Sequence, residues 1–371
     1  MATTPWHLIA MVAGSLSIVL GTLWDISWHV SIGRDTFWSP PHAAVYLGGL
    51  LAGLSSGVLA LKATFAGSEA ERAVTVRFWG FRAPLGAWMA IWGSFAMLVS
   101  APYDNWWHNA YGLDIGAFTP PHTLLLGGMI AIEFGVMFLA LSYQNRASAG
   151  EMTRLGLAHL LTAGIVVATL IPVHIIQPNR RHSALFYEVL CAYLPFLIVS
   201  AARASRMRWA ATITSAFYML IVLFMVWVLP LFPAHPKLGP INMPITHMAS
   251  LPFPVLLVFP ALAIDFFLQR REGKRAGWPD AAMIGVAFVA IFFVIHWYFA
   301  IFQLSPGARN WFFAGDRFWS FATRPDPIWF QFWATKTDPM RAISFVFAVA
   351  WAILSTRLGL FWGQWMSKVQ R

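Results

Sequence analysis

"WDISWHVSIGRDTFWSPPH", residues 24–42, places two Asp, one Arg and two His together in a chain that is 58% hydrophobic and only 11% charged. A second stretch, "YDNWWHNAYGLDIGAFTPPH", residues 103–122, repeats its design. In both, Asp is followed by Trp-His with the His at plus four, then Gly at plus eight, Asp at plus ten, Phe and Pro-Pro-His. The second copy has one additional residue before Pro-Pro-His. Agreement at so many positions reads as an internal duplication of a helix hairpin.

The surrounding composition fixes the class. Soluble domains carry about 25% charged residues, and this chain of 371 residues has less than half that share, with 20 Trp and 31 Phe. Apolar runs of about 20 residues, enough to span a bilayer, recur throughout. They predict an all-α polytopic membrane protein with ten helices near 6–31, 40–62, 79–103, 119–143, 154–175, 183–202, 209–230, 245–269, 278–303 and 340–362. The opening "MATTPWHLIAMVAG" has neither a basic n-region nor a cleavage signature and reads as a retained first helix. The lone Cys191, inside a predicted helix, excludes an internal disulfide framework and a thiolate metal cluster.

The net charge of +10 follows the loops rather than forming a nucleic-acid face. Lys62, Arg72, Arg77 and Arg82 share one loop, Arg146 and Arg154 another; Arg203, Arg206 and Arg208, then Arg270, Arg271, Lys274 and Arg275, then Lys368 and Arg371 follow. These loops alternate with loops poorer in positive charge. The positive-inside rule puts both termini in the cytoplasm and both repeated motifs outside. The partner implied by these charges is the lipid bilayer with its anionic headgroups, not nucleic acid.

Within each motif the spacing carries the chemistry. Asp25 and His29, like Asp104 and His108, are four residues apart and so share a helix face. Gly33 and Gly112 are expected helix stops. His42 and His122 follow Ser-Pro-Pro and Thr-Pro-Pro, a hydroxyl cap with Pro in the first turn that opens the next helix. Each hairpin therefore gathers Asp, His and His at one level, a set suited to iron(II), zinc or copper(II) with coordination positions left open. Asp35 and Asp114 also recur, as outer partners that orient an imidazole or as loop caps. Interfacial anchoring and capping are the structural alternative for each residue taken singly.

Asp25, His29 and His42, set in "WH" and "RDTFWSPPH", resemble the C subunit of the copper-dependent membrane monooxygenases, the family of particulate methane and ammonia monooxygenases. The first triad matches that family's first copper triad. Asp104, His108 and His122 stand at the x3 and x13 spacing of its second, which usually opens with Asn rather than Asp. The resemblance covers roughly residues 20–145, and about six further predicted helices extend beyond it. It implies copper and O2 chemistry at the outer membrane face, other membrane subunits including a cupredoxin-bearing one, and an electron donor such as quinol or a periplasmic protein. Residues 1–145 then form a duplicated metal-binding core, and 146–371 supply additional helices with an aromatic-rich outward segment at 304–339. The expected location is a bacterial inner membrane. Copper acquisition or transfer, and a structural or assembly subunit, are the rival readings.

Elsewhere the ionisable residues within apolar runs ask for a role. Glu133 lies eleven residues beyond His122, about 16 Å along a helix, too far to join that triad. It is expected to pair with another helix or to relay protons, and Glu188 is a shallower candidate for the same. Asp265 is expected to pair with Arg270 and Arg271. The pairs His174 with His182, and His235 with His247, lack an Asp at minus four and read as loop residues.

Overall fold

A computed structural model describes residues 5–33, 38–112, 119–174, 183–237, 245–271, 276–303, 305–314 and 342–371. Long helices dominate: α1 (Trp6–Ser31), α2 (Pro40–Leu61), the short α3 (Glu69–Ala73), α4 (Leu85–Tyr111), α5 (Pro120–Gln144), α6 (Ala149–His174), α7 (Ala184–Ala204), α8 (Ala210–Val228), α9 (Val258–Arg270), α10 (Trp278–Gln303) and α11 (Ala342–Met366). Among the described residues, nine helices are long and apolar enough to cross a membrane. The chain is therefore an integral membrane protein whose outward helix faces meet lipid.

Two expected spans differ from the sequence reading. The third, expected from residue 79, begins at Leu85, because Val76–Phe78 and Phe81–Ala83 form an antiparallel hairpin, β1 and β2. The span expected at 245–269 is only half helical. From Ser250 the chain runs back along α8: Ser250 Oγ bonds Val226 O at 3.0 Å, Val255 N bonds the Tyr218 hydroxyl at 2.9 Å, and Asp265 reaches Ala211 and Thr212. Pro252 and Pro254 have no amide hydrogen to give a helix, so this half stays extended. Non-helical backbone at membrane depth persists only where protein satisfies it, and Ser250, Leu251, Phe253 and Val255 are buried.

Asp265 also corrects an expectation. It does not pair with Arg270 or Arg271; its carboxylate accepts from Ala211 N (3.0 Å), Thr212 N (2.8 Å) and Thr212 Oγ1 (2.7 Å), capping the start of α8 from a neighbouring helix. Arg271 instead meets Asp280 at 2.9 Å.

Glycines set the packing of the first four long helices. A Cβ on Gly14 would stand 2.7 Å from Gly48 O, and one on Gly93 would stand 2.6 Å from Gly128 O. Thus α1 crosses α2, and α4 crosses α5, at backbone contact, as small residues permit in membrane helices. At the end of the bundle away from the two motifs, His7 Nε2 meets the Tyr143 hydroxyl at 2.6 Å and Asn145 Nδ2 donates to Val369 O at 2.8 Å. His7 and Val369 therefore lie beside the C-terminal end of α5, while His122 sits at its opposite end.

Candidate metal centres

The last turns of α1 and α4 are stopped by Gly33 (φ 89°) and Gly112 (φ 87°), in backbone conformations that L side chains seldom adopt. The following helices begin with Pro-Pro-His, so the third residue of each is an imidazole carrier. Thr119 caps α5 as expected, its hydroxyl accepting from His122 N at 3.5 Å. Ser39 departs from that expectation, occupying the cap position of α2 without a hydroxyl–amide bond.

These constraints bring the six residues together as two triads. His29 Nε2 lies 3.3 Å from Asp25 Oδ2, and His42 Nε2 lies 3.2 Å from Asp25 Oδ1. His108 Nε2 and His122 Nε2 lie 3.2 and 3.3 Å from Asp104 Oδ1. Imidazole centroids are 6.3 Å apart at 61° in the first triad and 6.4 Å apart at 62° in the second. Two hairpins of different sequence thus arrive at one geometry, except that Asp25 offers an oxygen to each imidazole and Asp104 offers one oxygen to both.

The donor sets fit a metal ion. In each triad one ligand atom per residue lies within 4.8 Å of the others. A tetrahedral ion with bonds near 2.1 Å separates its ligand atoms by about 3.4 Å, close to the carboxylate–imidazole distances found. In the second triad the tautomer of one imidazole is fixed. His108 Nδ1 stands 3.1 Å from Gly112 O, and a carbonyl only accepts, so Nδ1 carries the hydrogen. In the neutral ring Nε2 then directs a lone pair at Asp104. Two acceptors at 3.2 Å need a cation between them, a proton or a metal, and a fixed Nδ1–H is how proteins orient a ligating His. The Gly112 carbonyl thus orients His108; the expected outer partners Asp35 and Asp114 fall outside the described residues.

The two sites are backed differently. On the side of α1 away from Asp25 and His29, Ser27 Oγ donates to Ala249 O (2.5 Å) and Ser31 Oγ accepts from Ala249 N (2.8 Å), clamping the extended segment onto the last turns of α1. The matching face of α4 carries Trp106, 54% exposed. Between the sites lies Tyr46, a residue the sequence reading did not single out. It stands one turn beyond His42 on α2, its hydroxyl 3.4 Å from Ser100 Oγ, one turn before Asp104 on α4. Only the i, i+4 spacing of His42 with Tyr46 could have drawn attention to it.

The remaining expected residues are not brought to the triads. Glu133 is fully buried in α5 and accepts from Thr169 Oγ1 of α6 at 2.6 Å, an interhelical pairing. Glu188 is half-buried in the second turn of α7. His235 and His247 are exposed and form no ligand cluster among the described residues, His247 bonding Thr246 Oγ1 at 2.9 Å; the side chain of His174 and all of His182 lie outside those residues. Of the 304–339 segment, residues 305–314 are described, and Phe312 and Phe313 pack on Phe253 at 5.8 and 5.2 Å. Comparison with protein-family models, with characterised proteins and with solved structures finds no match.

Proposed function

We propose that this chain is a copper-dependent membrane monooxygenase, or its metal-bearing subunit, oxidising a small apolar substrate. The observation that carries the reading is the pair of Asp-His-His sets at matching geometry, joined to the resemblance of "RDTFWSPPH" to the copper monooxygenase C subunit. The repeat of the Gly14–Gly48 contact as Gly93–Gly128 supports descent of the two hairpins from one. In this scheme the basic end of the bundle, with both termini, faces the cytoplasm of a bacterial inner membrane, and the triads face outward.

Copper, when bound, would supply binding and one-electron reduction of O2. The chain does the rest. Asp25 and Asp104 each contribute one negative charge that offsets part of the ion's, which the Asn usual at the second site would not. His29, His42, His108 and His122 direct imidazole nitrogens to a shared point and leave positions open. Gly112 O holds the His108 ring in its ligating tautomer. The Tyr46 hydroxyl, 3.4 Å from Ser100 Oγ, ties the two ligand-bearing hairpins together one turn below the sites. Electrons would come from quinol or a periplasmic donor through other membrane subunits.

The partial exposure of the triads, from 16% for His108 to 37% for His29, favours one rival, a copper acquisition or transfer protein. That rival predicts exchangeable metal and no turnover. The deciding experiment supplies copper-loaded protein with a reducing donor, O2 and a panel of small apolar substrates. Product formation that depends on O2 and is lost in His29→Ala supports the oxygenase; rapid copper transfer to a chelator without product supports the carrier. Stoichiometric co-purification of partners with neither activity would indicate an assembly subunit.

A further inference from the structure

At the end of the bundle opposite the triads, the β1–β2 hairpin has two unlike faces. Its register pairs Phe78 with Phe81 on one face and Arg77 with Arg82 on the other. The aromatic face lies along α4: Phe78 meets Trp88 at 5.5 Å and Trp92 at 6.0 Å, and Trp88 Nε1 donates to Val76 O at 3.1 Å. Trp92 is seven residues past Leu85, about 10 Å along the helix. The hairpin is therefore laid against the first turns of a membrane helix, not beyond its end.

Two features have a cost that the fold alone does not recover. Like charges directly opposite on neighbouring strands repel, and among the described residues neither Arg77 nor Arg82 has a carboxylate partner. The neighbouring Glu71 is turned to Ser68 N at 2.8 Å and to Lys62 at 3.8 Å. The Ser68 amide and hydroxyl hold its carboxyl below the ordinary range. The second feature is the turn. Its two central residues, Trp79 (φ 46°) and Gly80 (φ 86°), are both left-handed. A two-residue turn of this type favours Asn-Gly, and a bulky side chain at positive φ is an outlier that points to function. Trp79 is 79% exposed, stacked on Phe78 at 4.9 Å and edge-on to Trp92 at 5.8 Å.

We propose that this hairpin is a binding site for the headgroup of an anionic phospholipid, the phosphate held between Arg77 and Arg82 and the glycerol and upper acyl region lying against Trp79. A guanidinium pair suits a phosphate, offering parallel N–H donors and cancelling the repulsion between the two cations. Indole rings at the membrane–water boundary, with one apolar and one polar side, suit the region just below it. Depth argues for a lipid over a free anion: the site runs beside α4, where Trp92 and Phe95 (57% exposed) continue the aromatic surface toward the bilayer. The site secures the α2–α4 connection to one leaflet and fixes the height of both hairpins.

The test uses the full chain purified in detergent. Phosphatidylglycerol and phosphatidylcholine are titrated in separately, with retained lipid read by native mass spectrometry and the melting midpoint followed. Phosphatidylglycerol is expected to be retained at one tight site per chain and to raise the midpoint, and phosphatidylcholine to do neither. Arg77→Gln and Arg82→Gln should each weaken retention about fivefold, the gain of one cation near an anionic surface, while Arg371→Gln changes nothing. Trp79→Gly relieves the left-handed strain but also removes the ring contacts with Phe78 and Trp92, so it should weaken lipid retention while the midpoint in lipid-free detergent changes little. Equal retention of both lipids, or unchanged retention in the double Arg variant, overturns the proposal. So does inorganic phosphate that displaces phosphatidylglycerol and reproduces its stabilisation, which would make this a free-anion site.

Discussion

Replacing Gly112 with alanine should loosen the second metal centre through one carbonyl. Gly112 stands at φ 87° and ψ −179°, a region essentially confined to glycine, where another residue costs about 1–3 kcal/mol. A hydrogen bond such as that from His108 Nδ1 to Gly112 O contributes about 0.5–1.5 kcal/mol net. The strain averages about twice the bond, so the Gly112→Ala backbone should relax away from φ 87° and give up the 3.1 Å contact. His108 then loses the partner that fixes its tautomer and ring angle. Loss of such an orienting partner lowers metal affinity about 10–100-fold, or about 1.4–2.7 kcal/mol. The assay is competition between the protein and a copper(II) chelator in an Asp25→Ala background, where only the second site reports. A companion titration in an Asp104→Ala background should show the first site unmoved. Unchanged affinity at the second site would refute the orienting role of Gly112 and with it the assignment of Nδ1–H.

Three further outcomes follow from the packing. Thr169→Val removes the hydroxyl that donates to the buried Glu133 and should cost about 1–3 kcal/mol of unfolding free energy, whereas Glu133→Gln, which still accepts that bond, should cost less; chemical unfolding in detergent compares the two. Asp265→Ala removes all three bonds that cap α8 and should destabilise by about 1–2 kcal/mol, against at most about 1 kcal/mol for Arg271→Gln, whose guanidinium is 45% exposed. Gly93→Ala sets a Cβ 2.6 Å from Gly128 O and should force α4 and α5 apart at about 1–3 kcal/mol, while Gly127→Ala, with open space around it, should leave the melting midpoint unchanged.

What could be read from the sequence was local. Apolar runs marked the long helices, and the Asp-x3-His spacing with Pro-Pro-His marked both triads, because each depends on residues a few positions apart. The extended half of the α9 segment was hidden by its own composition, since residues 248–257 are as apolar as a helix would be. Pro252 and Pro254 were the signal against a helix there. The β1–β2 hairpin was missed because Trp79-Gly80 is an unusual turn and the apolar run of α4 follows at once. The partners of Glu133 and Asp265 come from 36 and 53–54 residues away, and no local pattern encodes such pairs. Tyr46 gained its place between the triads only when α2 packed on α4.

The central claim, two metal centres held by Asp25, His29, His42 and Asp104, His108, His122, is tested most directly by the metal content and EPR spectrum of copper-loaded protein. Two copper ions per chain are expected in the wild type, one in His29→Ala, one in His108→Ala, and separable EPR signals assigned by their loss. Absence of bound copper in wild-type protein, with both variants folding normally, would contradict it and leave the triads as interfacial ion pairs.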